Sequence, residues 1–329
     1  MKVTVFSAKQ YDRRSLAEAN TAQHEFTFIE DRLRPETVGL VADADAVCAF
    51  VHDIINEEVL ETLASHGCNL VALRCAGFNN VDLPAAKKHG ITVARVPAYS
   101  PYAVAEFATG LLLSLNRKIH RAYSRVREQN YSIEGLEGFD LHGKTVGVIG
   151  TGKIGLVFAR IMTGFGCRVL AYDPYPNDEI REMGGTYSDL YDLFSESDII
   201  SLHCPLNEGT HHIIGPQTLP LLKKGVMIIN TSRGGLLDAD TAIKGIKEGI
   251  IGSLGLDVYE EEEGIFFEDY SETIMDDDRL LRLTSYPNVL VTSHQGFFTR
   301  EALSNIARVT MENINQFAET GTCTYRLDG

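Results

Sequence analysis

The chain has 329 residues, enough for about two domains of ordinary size, and its 44% hydrophobic and 23% charged residues are those of a globular protein. That composition excludes a disordered tail, a fibrous repeat and a disulfide-stapled miniprotein. A formal net charge of −15 repels a phosphate backbone and argues against nucleic-acid binding, although a local arginine can still hold a small anion.

Cys48, Cys68, Cys75, Cys167, Cys204 and Cys323 form no C-x-x-C pair and no zinc-ligand spacing, so reduced thiols and no bound metal are expected. The segment Met1–Ser7 alternates like a first strand and lacks the apolar core of a signal peptide. No apolar run reaches the length of a membrane span. A soluble, cytoplasmic protein with no membrane partner is the expectation.

In chain order, buried strands are predicted at Val3–Ser7, Glu25–Glu30, Ala46–Val51, Leu70–Cys75 and Thr92–Val96, with helical spacing in segments such as Glu57–His66 and Leu83–His89. This β-α-β rhythm implies a parallel sheet covered by helices on both faces. Ser100 as N-cap and Pro101 at the first helical position then open one long helix, expected to run from Tyr102 to about Glu128. Its apolar half is wider than one core-facing stripe requires. Residues 101–128 are therefore expected to pack on another subunit in a homodimer or homotetramer. From Gly143 a second series follows: Thr145–Ile149, Arg168–Tyr172, Ile199–Cys204, Val226–Thr231, Leu254–Val258 and Val289–Thr292 read as strands. Six strands alternating with helical patterns match a doubly wound sheet. A last helix from Thr299 to about Glu319 and a short polar tail end the chain.

The stretch Gly150-Thr-Gly152-Lys-Ile-Gly155 lies between a buried strand and an amphipathic helix, the context that makes a G-x-G-x-x-G informative. Gly150 permits the tight turn, Gly152 lets backbone amides approach a pyrophosphate, and Gly155 lets the helix lie close to the sheet. The N–H groups at the helix start, at Lys153 and Ile154, add donors and a partial positive charge. The next strand ends at Asp173, 18 residues after Gly155. A carboxylate there can accept from both ribose hydroxyls and repels a 2′-phosphate. These residues point to NAD(H) as the cofactor, not NADP(H).

A nicotinamide exchanges only hydride, so the protein must add a cation for an anionic substrate and an acid/base for the proton. Three later strands end in suitable residues: Asn230-Thr231-Ser232-Arg233-Gly234-Gly235, Asp257-Val258-Tyr259 followed by the glutamates 260–263, and Ser293-His294-Gln295-Gly296. Ligands of open α/β sheets bind at the carboxyl ends of strands, so Arg233, one of the four glutamates and His294 can meet in one crevice. The bare sequence does not say which glutamate points inward.

With these segments, Arg74-Cys75-Ala76-Gly77-Phe78-Asn79-Asn80-Val81-Asp82 and Pro97-Ala98-Tyr99-Ser100-Pro101, the chain resembles the D-2-hydroxyacid dehydrogenase family over essentially its whole length. The resemblance implies an α/β protein of two doubly wound parallel-sheet domains. A Rossmann NAD-binding domain (101–296) would be inserted into a flavodoxin-like substrate domain (1–100 and 297–329). It implies Arg233, Glu262 and His294 as the catalytic set. Arg233 would bind the substrate carboxylate and polarise the carbonyl. His294 would exchange the proton, and Glu262 would fix the imidazole tautomer. It also implies that the amides of Ala76 and Gly77 help hold the carboxylate. Cys204, Pro205, Thr231, Ser232 and Arg233 would line the nicotinamide ribose, and Asp257 would face the carboxamide.

Phe50, Tyr99, Phe297 and Phe298 occupy positions that, by the same resemblance, wall the substrate side chain. Bulky aromatics leave room for a methyl group more readily than for isobutyl or benzyl groups, and a hydrophobic pocket separates homologues by about 1–3 kcal/mol per methylene. Reversible reduction of pyruvate to D-lactate is thus the expected reaction, with the D hand implied only by the family. The alternatives are a family member for a larger 2-keto acid and a catalytically idle NAD(H)-sensing corepressor.

Overall fold

A computed structural model describes residues 1–327. The chain divides into two compact units, one made of Met1–Ser100 and the chain from Phe298 onward, the other of Pro101–Phe297. The boundary after Phe297 places that residue in the inserted unit, one residue beyond the expected limit.

The first unit starts with β1 (Lys2–Val5), α1 (Gln10–Ala19), β2 (Glu25–Phe28), β3 (Ala46–Ala49), α2 (Glu57–Ser65), β4 (Leu70–Leu73), α3 (Leu83–Lys88) and β5 (Thr92–Ala94). The inserted unit contains α4 (Pro101–Arg117), α5 (Ile119–Arg127), β6 (Thr145–Ile149), α6 (Lys153–Gly164), β7 (Arg168–Tyr172), α7 (Asp178–Glu182) and β8 (Thr186–Tyr187). It continues with α8 (Leu190–Glu196), β9 (Ile199–Leu202), β10 (Val226–Asn230), α9 (Ala239–Lys247), β11 (Ile251–Leu256), α10 (Asp278–Ser285) and β12 (Val289–Val291). The chain then returns to the first unit with α11 (Arg300–Thr320) and β13 (Arg326–Leu327).

The sheet of the first unit has the order β13-β5-β4-β3-β1-β2. Its sequential strands are parallel, and their order 2-1-3-4-5 is the flavodoxin-like one. The four residues of β3 and of β4 are all buried, as a central parallel strand covered on both faces requires. Along α11, Ala307, Met311 and Ile314 recur at helical spacing and seal one face of this sheet with Val3, Val5, Leu70 and Ala72. Gly321, with φ 72°, ends the helix in the left-handed conformation that favours glycine.

The inserted unit has the order β12-β11-β10-β9-β6-β7-β8, all parallel. Counted from β6, this is the doubly wound order of a dinucleotide-binding sheet, with strand order reversing between β6 and β9. One face is covered by α4 and α6, through Leu111, Leu112, Leu115, Phe158 and Met162. The other face carries Leu193, Phe194, Leu219, Ala242 and Ile243.

The structure corrects four expectations. The helix from Pro101 breaks at Lys118, whose φ of 50° separates α4 from α5. The break coincides with a return of the chain onto the helix end: Asn116 Nδ2 donates to Phe139 O at 2.7 Å, Phe139 N donates to Asn116 Oδ1 at 2.8 Å, and Lys118 Nζ donates to Glu137 O at 2.5 Å. The second sheet has seven strands rather than six, because Thr186–Tyr187 adds an edge strand too short to show alternation. The strand expected from Leu254 begins at Ile251. The expected polar tail is partly a strand: Arg326 and Leu327 pair antiparallel with Ala94 and Val93 of β5.

Candidate active site

The glycine loop sits where strand order reverses. Gly150 has φ 94°, and a Cβ there would collide with the backbone of His203 and Cys204 at the end of β9. A Cβ on Gly155 would collide with the carbonyl of Gly150, so α6 can approach the turn only as glycine. Gly152, the N-cap of α6, is different: a Cβ there would meet nothing within 4 Å. The space beside the start of α6 is therefore open, and a helix N-terminus favours a phosphate. Asp173 Oδ2 accepts from Thr151 N at 2.7 Å and Thr151 Oγ1 at 3.1 Å, while Oδ1 accepts from Tyr175 N at 2.8 Å. Tyr187 of β8 donates to Thr151 Oγ1 at 2.8 Å. A carboxylate fixed in this way at the tip of β7 fits the ribose of NAD.

The loops after β10, β11 and β12 leave neighbouring parallel strands at one edge of the sheet. After β10, buried Asn230 shapes the arginine loop: its Nδ2 donates to Arg233 O at 2.9 Å and its Oδ1 accepts from Ser232 N at 3.1 Å. Ser232 Oγ donates to Cys204 O at 2.8 Å, joining this loop to the residues after β9. Arg233 Nη1 donates to Ser232 O at 2.6 Å.

After β11, three of the four glutamates separate by environment. Glu261 pairs with Arg279 at the surface, Glu260 Oε2 lies 2.9 Å from His212 Nε2, and Glu262 Oε1 lies 2.8 Å from His294 Nδ1. Glu262 Oε2 accepts from Tyr259 N at 2.9 Å, which fixes the carboxylate on its own turn. Both partners of the Glu262–His294 pair have side chains 16% exposed, a partly desolvated setting in which a charge-assisted hydrogen bond is strong. The glutamate that turns toward His294 is thus Glu262.

His294 has φ 53°, a left-handed backbone that costs a non-glycine residue about 1–3 kcal/mol and is held only where surroundings over-determine it. Asp257 does so. Its carbonyl accepts from His294 N at 2.7 Å, its Oδ1 accepts from Thr292 Oγ1 at 2.6 Å and Gln295 N at 2.9 Å, and its Oδ2 accepts from Gly296 N at 2.7 Å. Burial, the largest influence, raises the Asp257 carboxyl pKa, against the lowering effect of these hydrogen bonds. The sequence marked Asp257 only as a cofactor contact; its observed bonds are to the histidine loop.

Residues 109–296 match the family described as D-isomer specific 2-hydroxyacid dehydrogenase, NAD binding domain. The chain is 51% identical to the D-lactate dehydrogenase of Escherichia coli, with 99% of this chain and 100% of the relative covered. The chain belongs to the D-isomer specific 2-hydroxyacid dehydrogenases. Among solved structures, the apo form of the E. coli D-lactate dehydrogenase has a TM-score of 0.91 at 49% identity, covering 99% of this chain and 100% of that one. The pyruvate reductase of Chlamydomonas reinhardtii has a TM-score of 0.92 at 44% identity, covering 97% and 96%. This 2-hydroxyacid dehydrogenase is an NAD-dependent oxidoreductase.

In the first unit of this dehydrogenase, Phe50 is buried on a turn pinned from several directions. Phe50 N donates to Asp53 Oδ2 at 2.5 Å, Asn80 Nδ2 donates to Phe50 O at 3.1 Å, and the Arg74 guanidinium lies 4.9 Å from the Phe50 ring centroid. Arg74 is itself buried and reaches Asp12 Oδ1 at 3.0 Å and Ser7 O at 2.8 Å. The carbonyls of Ala76 and Gly77 accept from Arg95 Nη1 at 2.9 Å and Cys75 Sγ at 3.3 Å. Tyr99 O accepts from Asn305 Nδ2 at 2.6 Å, fixing the Tyr99 backbone on α11. Phe298 is 51% exposed and meets Tyr11 edge-on at 4.8 Å between centroids. Phe297, in the other unit, is buried. Asn230 and Arg74 stand in the segments singled out in the sequence but were given no role there, and Asp12, Asp53 and Tyr11 were not singled out. Polar residues at the ends of otherwise apolar strands were the available signal for Asn230 and Arg74.

All six cysteines are buried, and among the described residues none is joined in a disulfide. Among the described residues no helix is long and apolar enough to cross a membrane.

Proposed function

We propose that this enzyme reduces pyruvate to D-lactate with NADH, reversibly, and that Arg233, Glu262 and His294 carry the reaction. The observation that carries the reading is the 2.8 Å contact between Glu262 Oε1 and His294 Nδ1 on the strand edge that also bears Arg233. NADH, when bound, would supply a hydride to C2. The Arg233 guanidinium offers paired donors to the substrate carboxylate and polarises the C2 carbonyl. Nδ1–H of His294 donates to Glu262, so the proton passed to the carbonyl oxygen leaves from Nε2. In the reverse direction neutral Nε2 accepts the hydroxyl proton. Asp257 and Asn230 keep the histidine and arginine loops in place. Gly150, Gly152, Lys153, Ile154, Gly155 and Asp173 would hold the dinucleotide, and Cys204, Pro205, Thr231, Ser232 and Asp257 would line its nicotinamide end.

Pyruvate is favoured over larger acids by the rigid mounting of Phe50, and the 51% identity to the E. coli D-lactate dehydrogenase supports the same substrate and hand. Ala76, Gly77, Tyr99, Phe297 and Phe298 complete the set assigned to substrate binding. The test is loss of NADH absorbance with purified protein and pyruvate, 2-ketoisocaproate or phenylpyruvate, with product chirality read by a stereospecific lactate assay. Fast, D-specific turnover of pyruvate is expected. Preference for the larger acids would overturn the role of Phe50, and NADH binding without turnover of any acid would favour the sensor reading.

A cytoplasmic homo-oligomer formed through residues 101–128 belongs to the same proposal. Six buried cysteines outside any disulfide suit a reducing compartment. In α5 no residue is buried, and Ile119, Tyr123 and Val126 form an apolar stripe, 55%, 61% and 51% exposed. Light scattering of the purified protein tests this; a monomer at assay concentration would refute it.

A further inference from the structure

Away from the strand edge, a second histidine stands between two carboxylates. His212 Nε2 lies 2.9 Å from Glu260 Oε2, and His212 Nδ1 lies 3.8 Å from Asp238 Oδ2. All three side chains are less than a third exposed. Each ring nitrogen faces its own carboxylate, so the ring bridges the pair; a metal would take a single nitrogen. The other oxygens of both carboxylates are committed to backbone. Glu260 Oε1 accepts from Ala239 N at 3.0 Å, and Asp238 Oδ1 accepts from Thr241 N at 2.7 Å, both at the start of α9.

Three chain segments meet here, and two of them carry candidate catalytic groups. His212 N donates to Gly235 O at 2.8 Å, and Ile214 N donates to Leu236 O at 3.0 Å, so the histidine segment is laced to the chain just beyond Arg233. Gly234 presses on the peptide between Tyr259 and Glu260 so closely that a Cβ would collide with both residues. Beyond that peptide, Tyr259 N donates to Glu262 Oε2, which sets the direction of the carboxylate facing His294.

We propose that His212 and Glu260 are positioning residues for the reaction: their hydrogen bond ties the Arg233 loop to the Tyr259–Glu262 turn. The tie fixes the guanidinium with respect to the Glu262–His294 pair. The inference rests on the assignment of Arg233, Glu262 and His294 made above. Because Glu260 is an acceptor, His212 Nε2–H is the donor, and a glutamine at 212 can replace that donor. His212 has φ 50°, so alanine and glutamine bear the same backbone strain, and their difference isolates the side-chain bond.

His212→Ala, Glu260→Ala and His212→Gln would be compared with wild type in pyruvate reduction across pH, with NADH affinity measured by fluorescence. A misplacement of about 1 Å costs roughly a hundredfold in rate. Both alanine variants are therefore expected to lose about ten- to a hundredfold in kcat and to shift the high-pH limb of the rate profile. NADH affinity should stay within about twofold, and His212→Gln should recover most of the rate. Unchanged kcat and profile in both alanine variants would overturn the proposal. So would a loss of kcat matched by loss of NADH affinity, with glutamine no better than alanine. Glu262→Gln, run in parallel, separates the two levels. If it leaves the wild-type profile intact, the catalytic assignment itself fails. If it alone moves the profile, only the role of His212 and Glu260 falls.

Discussion

Replacing Glu262 by Gln changes one oxygen for an NH2, and the surroundings decide which way the amide faces. Tyr259 N–H, 2.9 Å from Oε2, demands an acceptor, so the amide oxygen takes that side and the NH2 group faces His294 Nδ1, 2.8 Å from the other oxygen. Nδ1 must then accept rather than donate, and the ring proton moves to Nε2. Two consequences follow for the proton exchange. The imidazolium needed for reduction loses a charge-assisted hydrogen bond worth about 1.5–3 kcal/mol and places N–H against N–H. The neutral ring needed for oxidation carries its proton on the nitrogen that should accept one. At roughly 1.4 kcal/mol per factor of ten, kcat/KM for pyruvate reduction should fall about ten- to a hundredfold. The assay is initial NADH oxidation at subsaturating pyruvate from pH 5 to 9, with NADH affinity as the control for folding. A Glu262→Gln enzyme with the wild-type profile and rate would refute the claim that this carboxylate controls the protonation of His294.

The glycine loop gives a paired prediction. Gly152→Ala adds a methyl where nothing lies within 4 Å, so the melting temperature should hold while NADH affinity falls; Gly155→Ala drives a methyl into the Gly150 carbonyl and should lower the melting temperature itself, as thermal unfolding and NADH titration of the two variants will show. Burial pushes the His203 pKa from 6.5 down to about 3. The unfolded chain therefore binds this proton first, and its stabilising effect, complete above about pH 6.5, is lost as pH falls toward 3. By pH 5 the loss reaches up to about 2 kcal/mol. Urea titrations at pH 7 and 5 should show His203→Gln losing less stability between them than wild type, and equal losses would refute the assignment.

The sequence carried most of the architecture because all strands but β13 run parallel and the central ones are buried on both faces, which forces short apolar runs separated by helical patterns. It failed where an element depends on distant partners. Thr186–Tyr187 and Arg326–Leu327 are strands only because β7 and β5 offer them an edge. Lys118 breaks a helix at the point where residues 137–139 fold back onto its end, which no local pattern at Lys118 announces. Within the candidate site the same division holds. The order of Arg233, the glutamate run and His294, each after a strand, marked the chemistry. Four consecutive glutamates are equivalent as letters, and neighbours distinguish three of them: His212 for Glu260, Arg279 for Glu261, and His294 for Glu262.

What the sequence determined by itself is therefore whatever is written in local period and spacing: the two α/β units, the glycine turn with its carboxylate, and the types of residue available for hydride-transfer chemistry. What the tertiary structure alone decided is pairing and orientation. The turn of Glu262 toward His294, the strained backbone of His294 held by Asp257, and the buried Arg74 beneath Phe50 each join residues dozens of positions apart. Such contacts exist only once the sheets have brought their strand ends together, because their energy comes from desolvated hydrogen bonds that no isolated segment can form.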